Sequence, residues 1–223
     1  MLSKQLDFAS LLAYSPRSEE VPEEFRAEAN NSKNLVLSLK DGRAFGDPPV
    51  TVAARLVAHL KSVPTSSAAL SDFLGTSATL VPVPKSTLLT KGARWAPEQL
   101  SQELVRGGFG KEVAILLERT EPIPKAAASL STERPTALQN YETLRVLKGL
   151  ASPTEILLVD DVVTAGATLL GLASRLREAY PDVPVKGFAA ARTVSLATRF
   201  RRTVEPVVGT IVLRPNGRTH RDP

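Results

Sequence analysis

Two consecutive aspartates, Asp160 and Asp161, stand directly after the apolar run Ile156-Leu157-Leu158-Val159 and directly before Val162-Val163-Thr164-Ala165-Gly166-Ala167-Thr168. The apolar run suits a parallel strand buried on both faces. After the turn, Leu169, Leu172, Ala173 and Leu176 recur at i, i+3, i+4 and i+7, which is helical spacing. A turn that opens a helix directs several unpaired backbone N–H groups to one place, and the helix dipole adds partial positive charge there. Together they bind phosphate. Gly166 lets the backbone pass close to such a group, and the hydroxyls of Thr164 and Thr168 add donors. The two carboxylates are acceptors. A phosphate repels them, and they suit the hydroxyls of a neighbouring sugar. Phosphate at the turn and a vicinal diol at the acids describe a ribose 5-phosphate. A blander reading uses the same residues: a strand end with two solvated acids and a threonine-capped helix.

These residues need a scaffold. Residues 34–39 read as a strand followed by a turn at Asp41-Gly42, and residues 15–34 as an exposed polar connection. Val52, Leu56, Val57 and Leu60 have helical spacing within 51–61. A short strand over 78–83 stops at Pro82 and Pro84. Pro97 opens a helix to about Arg106, with Leu100, Leu104 and Val105 on its buried face. Further expectations are a strand over 112–117, a long exposed loop over 118–137, a helix over 137–147, and strands over 155–159, 185–191 and 207–213. Strands alternating with helices imply an α/β fold: a mostly parallel central sheet with helices on both faces. Ligands of such sheets bind beyond the carboxyl ends of the strands, where Asp160 to Thr168 lie.

Composition removes several function classes. The 223 residues suffice for one sizeable α/β domain with a small appendage, and 43% apolar with 23% charged residues is ordinary for a globular chain. A net charge of +5 suits phosphates or nucleic acid without choosing between them. There is no cysteine, which removes disulfides, thiolate metal sites and a cysteine nucleophile. Two histidines, His59 and His220, do not make a zinc site. No apolar run approaches the roughly 20 residues that span a bilayer. The opening residues lack the apolar core of a signal peptide, so the expected location is cytoplasmic, with no membrane partner.

The string from Ile156 to Thr168 resembles the phosphoribosyl pyrophosphate (PRPP) motif of type I phosphoribosyltransferases: four apolar residues, two acids, then a Thr/Gly-rich loop. Leu80-Val81-Pro82-Val83-Pro84, followed by Lys91-Gly92-Ala93-Arg94-Trp95, resembles the competence-associated ComF-like branch, here without its cysteine zinc ribbon. The resemblance covers roughly residues 35–195. It implies that Asp160 and Asp161 hold the ribose hydroxyls and act in catalysis, and that Val162, Val163, Thr164, Ala165, Gly166, Ala167 and Thr168 wrap the 5-phosphate. Pyrophosphate would lie over Pro84, Lys85 and Ser86, with Lys85 as a catalytic cation. The loop over 118–137 would be a lid bringing Arg119, Lys125 and Arg134 to the pyrophosphate. Each of these cations equally fits a solvated surface charge. Mg2+ would reach the site through PRPP, with Asp160 and Asp161 as its protein contacts. Residues 1–50 would form a small variable hood, with Phe45 a candidate to stack on a base. Residues 51–213 would form the core, and the polar residues 214–223 a frayed tail.

The activity so implied is glycosyl transfer in nucleotide metabolism: a phosphoribosyl group moves from PRPP to a nitrogen acceptor such as a nucleobase, and pyrophosphate leaves. Thr164 stands where the 6-oxopurine enzymes of this family carry an acid, which argues against hypoxanthine and guanine. The Thr-Ala-Gly wording is closer to orotate-type enzymes, although their basic lid motif is absent. A homodimer is an allowed assembly. The alternative is a non-catalytic PRPP-sensing module linked to nucleic acid, motivated by Arg199, Arg201 and Arg202; nucleic acid is the less favoured partner.

Overall fold

A computed structural model describes residues 1–62, 68–88, 92–124, 134–148 and 152–222. In chain order the elements are β1 (Gln5–Tyr14), α1 (Glu23–Lys40), β2 (Ala44–Phe45), β3 (Val50–Thr51), α2 (Val52–Ser62), α3 (Ala68–Leu74), β4 (Thr79–Pro82) and α4 (Ala96–Arg106). They continue with β5 (Glu112–Val113), β6 (Leu117–Arg119), α5 (Ala137–Glu142), β7 (Leu144–Val146), β8 (Ile156–Val163), α6 (Ala167–Ala179), β9 (Val185–Thr193), β10 (Val204–Leu213) and β11 (Thr219–Asp222). One seven-stranded sheet has the order β11-β10-β1-β9-β8-β4-β5. From β1 to β5 the neighbours are parallel, and β10 and β11 are added antiparallel at one edge.

Two apolar cores cover the two faces. One gathers Val36 and Leu39 of α1, Leu56 and Leu60 of α2, Leu70 of α3 and Leu100 and Leu104 of α4 against Leu157 and Val159. The other gathers Ala137 of α5 and Leu169, Leu172 and Leu176 of α6, with Leu117 and Leu144, against Ile156 and Leu158. Each fully buried leucine is worth about 1.5–3 kcal/mol relative to an exposed one, so α6 is held mainly by its apolar stripe. The expected α/β architecture, mostly parallel with helices on both faces, is the one observed.

The N-terminus departs from expectation. Residues 5–14, assigned above to a hood, form an interior strand between β10 and β9. Leu6, Phe8, Ala9, Leu11, Leu12 and Ala13 are all buried there. Residues 34–39 are helical rather than extended. The inward positions of α1 are Ala29, Ser32, Val36 and Leu39, a helical spacing masked by small and polar side chains. Ser32 Oγ donates to the Ala13 carbonyl at 2.6 Å, which explains a buried serine on that face.

The expected strand over 112–117 is two pieces, β5 beside β4 and β6 in a separate pair with β7. The expected helix over 137–147 stops at Glu142, because Leu144 to Val146 pair with β6 instead. The C-terminal residues are not a frayed tail. Thr219 to Asp222 pair with Thr210 to Leu213 across a turn in which Gly217 has φ 76°. Asn216-Gly217 is a hairpin signal, because the turn that matches strand twist needs positive φ.

Candidate active site

The carboxyl ends of β1, β4, β8 and β9 lie along one edge of the sheet, since those strands are parallel. Pro82 pairs with Val159, so Pro84, Lys85 and Ser86 leave the sheet beside Asp160 and Asp161. Along β8, Ile156 and Leu158 face one core and Leu157 and Val159 the other. Strict alternation would then place Val162 with Leu158, yet Val162 packs with Leu157 and Val163 with Leu158. The strand turns over at the acid pair, which leaves both aspartates half-buried instead of committing one to each core.

Asp160 is held in an unfavourable electrostatic setting. Burial raises its carboxyl pKa well above the ordinary aspartate value, and the neighbouring Asp161 carboxylate raises it further. One backbone donor, the Asp161 N–H at 2.8 Å from Asp160 Oδ1, and the charge of Lys40 act in the opposite direction. Lys40 ends α1 and places Nζ 4.0 Å from Asp161 Oδ2. Both partners are partly exposed, so this pair is worth no more than about 1 kcal/mol. The sequence reading missed Lys40 because it missed α1. Among the described residues the pair is short of donors, and hydroxyls or a divalent cation would supply what it lacks. Among the described residues no cluster of three or more His, Asp or Glu forms a metal cage. A cation fits here only if a ligand shares it with the two aspartates, as magnesium does with phosphates.

Gly166 is the N-cap of α6, with φ 85° and ψ 9°. The helix has no side-chain cap, so the reading in which the threonines merely cap it does not hold, and its first-turn N–H groups have no side-chain acceptor from the cap. Thr164, Ala167 and Thr168 are half-buried around this turn, Ala165 is exposed, and Val163 is buried. The need for glycine has a cause that the sequence did not show. A Cβ at Gly166 would lie 2.6 Å from Cδ1 and Cγ1 of Ile211, on β10. The turn is thus pressed onto the antiparallel side of the sheet.

Arg119 does not stand on an exposed lid. It is buried at the end of β6 and donates through Nε to the Lys85 carbonyl at 2.9 Å, through Nη1 to Thr143 Oγ1 at 2.7 Å and through Nη2 to Asn140 Oδ1 at 3.1 Å. Burial lowers its pKa to about 10, so it remains charged at neutral pH. Its role is to hold the backbone at Lys85, a task shared by the Ile123 N–H, which donates to the Ser86 carbonyl at 2.8 Å. The exposed loop expected from residue 118 is therefore hydrogen-bonded structure as far as Ile123. Lys125 and the rest of residues 125–133 of the expected lid lie outside the described residues, and Arg134 is exposed. Replacing Arg119 with Met is expected to cost about 2–4 kcal/mol, because two buried acceptors and one part-buried acceptor lose a charged donor. Denaturant unfolding checks this; a loss within error of zero would show that the loop at Lys85 is held by other contacts.

Other candidates divide between support and surface. Trp95 is buried and its Nε1 donates to the Val83 carbonyl at 2.8 Å, which fixes the end of β4. Phe8 is a core residue. Phe45 is exposed on the β2–β3 hairpin, and the turn at Asp41 between α1 and that hairpin is tied to the segment before α4 by Arg94 Nη1 donating to the Asp41 carbonyl at 2.9 Å. Arg199, Arg201 and Arg202 are exposed, with Arg201 over the Phe25 ring at 5.1 Å.

No family model and no curated protein matches the chain. Among solved structures it is similar to a hypoxanthine phosphoribosyltransferase from Staphylococcus aureus at 12% identity and TM-score 0.34, over 68% of this chain and 71% of that one. It is also similar to an adenine phosphoribosyltransferase from Leishmania tarentolae at 14% identity and TM-score 0.29, over 77% and 90% of the two chains. Likeness at this level is distant, and the architecture rests on the strand order and the two cores of this chain.

Proposed function

We propose that this chain binds PRPP at the carboxyl end of β8 and transfers its phosphoribosyl group to a nitrogen acceptor such as a nucleobase. One observation carries the reading: a donor-poor pair of aspartates followed, three residues after Val163, by an uncapped helix N-terminus that begins on a positive-φ glycine. The sugar hydroxyls would donate to Asp160 and Asp161. The 5-phosphate would take the N–H groups of the turn from Thr164 to Thr168. Lys85 would face the pyrophosphate from the loop that Arg119 holds.

In the transfer, the bond from the anomeric carbon to pyrophosphate breaks and a bond from that carbon to the acceptor nitrogen forms, with the acceptor proton lost to solvent or a base. Positioning and stabilisation of the departing charge would supply most of the acceleration. Asp160 and Asp161 would be the protein groups that hold magnesium, which would supply charge neutralisation for the leaving group. The exposed aromatic Phe45 and the hairpin that carries it are the candidate acceptor cover.

A second reading, a PRPP sensor without catalysis, is favoured by one observation: Arg119, an expected lid cation, is committed to a structural task. Calorimetric titration with PRPP and magnesium, followed by pyrophosphate release against a panel of nucleobases, separates the two. Binding with base-dependent release is the expected result. Binding without release supports the sensor, and absence of binding overturns both.

A further inference from the structure

β11 carries Arg221, which faces the same side of the sheet as its cross-strand partner Ile211, the residue pressed against Gly166. Its Nη1 donates to the Val163 carbonyl at 2.9 Å, and its Nη2 donates to the Thr193 carbonyl. One side chain thereby ties together the last residues of β8 and β9. Val163 is the residue that enters the turn at Thr164. The guanidinium lies 5.8 Å from the centre of the Phe8 ring, and its Nε is buried with no partner among the described residues.

The charge on Arg221 is also uncompensated. The nearby Arg192 has a carboxylate, with Nη2 2.6 Å from Glu205 Oε2. Arg221 makes no ion pair among the described residues, and its acceptors are neutral carbonyls. Burial and Arg192 both lower its pKa, to about 10, which still leaves it protonated at neutral pH. A half-buried cation without a counter-ion among the described residues is costly to keep, and an anion bound nearby would offset that cost.

We propose that Arg221 is a positioning residue of the phosphate turn: it fixes the entry to residues 164–168 through the Val163 and Thr193 carbonyls, and its charge is the long-range counterpart of a phosphate bound there. The ligand part of this inference rests on the ribose 5-phosphate reading of the turn; the clamp part rests on the hydrogen bonds alone.

The test uses the full chain with Arg221→Gln and Arg221→Lys, and measures two quantities. The first is affinity for ribose 5-phosphate by calorimetry. The second is amide hydrogen exchange of residues 163–168 without ligand. For Arg221→Gln, affinity is expected to fall about tenfold, as for loss of one charged interaction, and exchange at the turn to accelerate. For Arg221→Lys, part of the affinity is expected to return with the charge while exchange stays fast, since an ammonium cannot reproduce the planar two-carbonyl bridge. Native affinity and native exchange in Arg221→Gln would overturn the proposal. If the unmodified chain binds no ribose 5-phosphate, the ribose-phosphate reading fails; faster exchange in the variants would still uphold the clamp, and unchanged exchange would overturn it. If Arg221→Gln does not fold, Arg221→Lys decides the clamp by exchange alone.

Discussion

Replacing both acids, Asp160→Asn with Asp161→Asn, is expected to lower affinity for PRPP and for ribose 5-phosphate by about a hundredfold or more, while the fold becomes more stable at neutral pH. The affinity loss follows from the chemistry of the pair. Sugar hydroxyls donating to a carboxylate make charged hydrogen bonds, each worth about 1.5–3 kcal/mol, and an amide replaces both with weaker neutral ones. The stability gain follows from Asp160. Its folded pKa is raised by burial and by Asp161, so the folded state holds the Asp160 proton more tightly than the unfolded state does. Between the ordinary value of 3.8 and the raised folded value, stability falls as pH rises. Above that window the full penalty of an ionised, buried Asp160 is present, and the neutral amide of the variant does not carry it. Thermal midpoints of the unmodified chain and of the single variant Asp160→Asn, measured from about pH 4 to about pH 8, are expected to diverge in favour of the variant as pH increases. A variant that is less stable at every pH would show that the Asp161 N–H and Lys40 outweigh the cost of burial, and the acids would then be structural. Unchanged affinity in the double variant would remove them from the site.

How much of this could be read beforehand depended on which physical signal each element carries. β8 and α6 were legible because their signals are local: a four-residue apolar run, then leucines at helical spacing. α4 was legible for the same reason, with Pro97 at its start. β1 was not, because Asp7 and Ser10 interrupt its apolar run, although Ser10 is buried inside the sheet. The end of α1 looks extended in sequence because Leu35-Val36-Leu37 is a continuous apolar run, while the other inward residues of the helix, Ala29 and Ser32, are too small or too polar to stand out. Losing α1 meant losing Lys40. β11 carries a turn signal in Asn216-Gly217, but the polarity of the last ten residues reads as a frayed tail, and Arg221 shows no pattern of its own there. The candidate acids and the turn were legible; the residues that support them, Arg119, Ile211 and Arg221, act across 21 to 58 positions of chain and leave no local pattern.

The close approach of Ile211 to the turn makes Gly166 a position where a single methyl group is expected to damage both the fold and the candidate site. Gly166→Ala adds two separate costs. A side chain in the left-handed region at φ 85° costs about 1–2 kcal/mol. The new Cβ would sit 2.6 Å from Cδ1 and Cγ1 and 2.7 Å from Cγ2 of Ile211, and relieving that overlap costs about 1–3 kcal/mol more. Ile211 is fully buried and branched at Cβ, so it has little freedom to turn away. The expected destabilisation is about 2–5 kcal/mol, with loss of ribose 5-phosphate binding because the helix start is displaced. A double-mutant cycle separates the two costs. Ile211→Ala alone destabilises by about 2–5 kcal/mol through the cavity it leaves. In the Gly166→Ala background it should cost less, since it removes the three atoms nearest the new methyl while leaving the φ penalty in place. A coupling energy of about 1 kcal/mol or more in that direction confirms that β10 presses on the turn. Strict additivity would mean that glycine is required at 166 by the backbone angle alone, and the antiparallel edge of the sheet would then have no part in shaping the site.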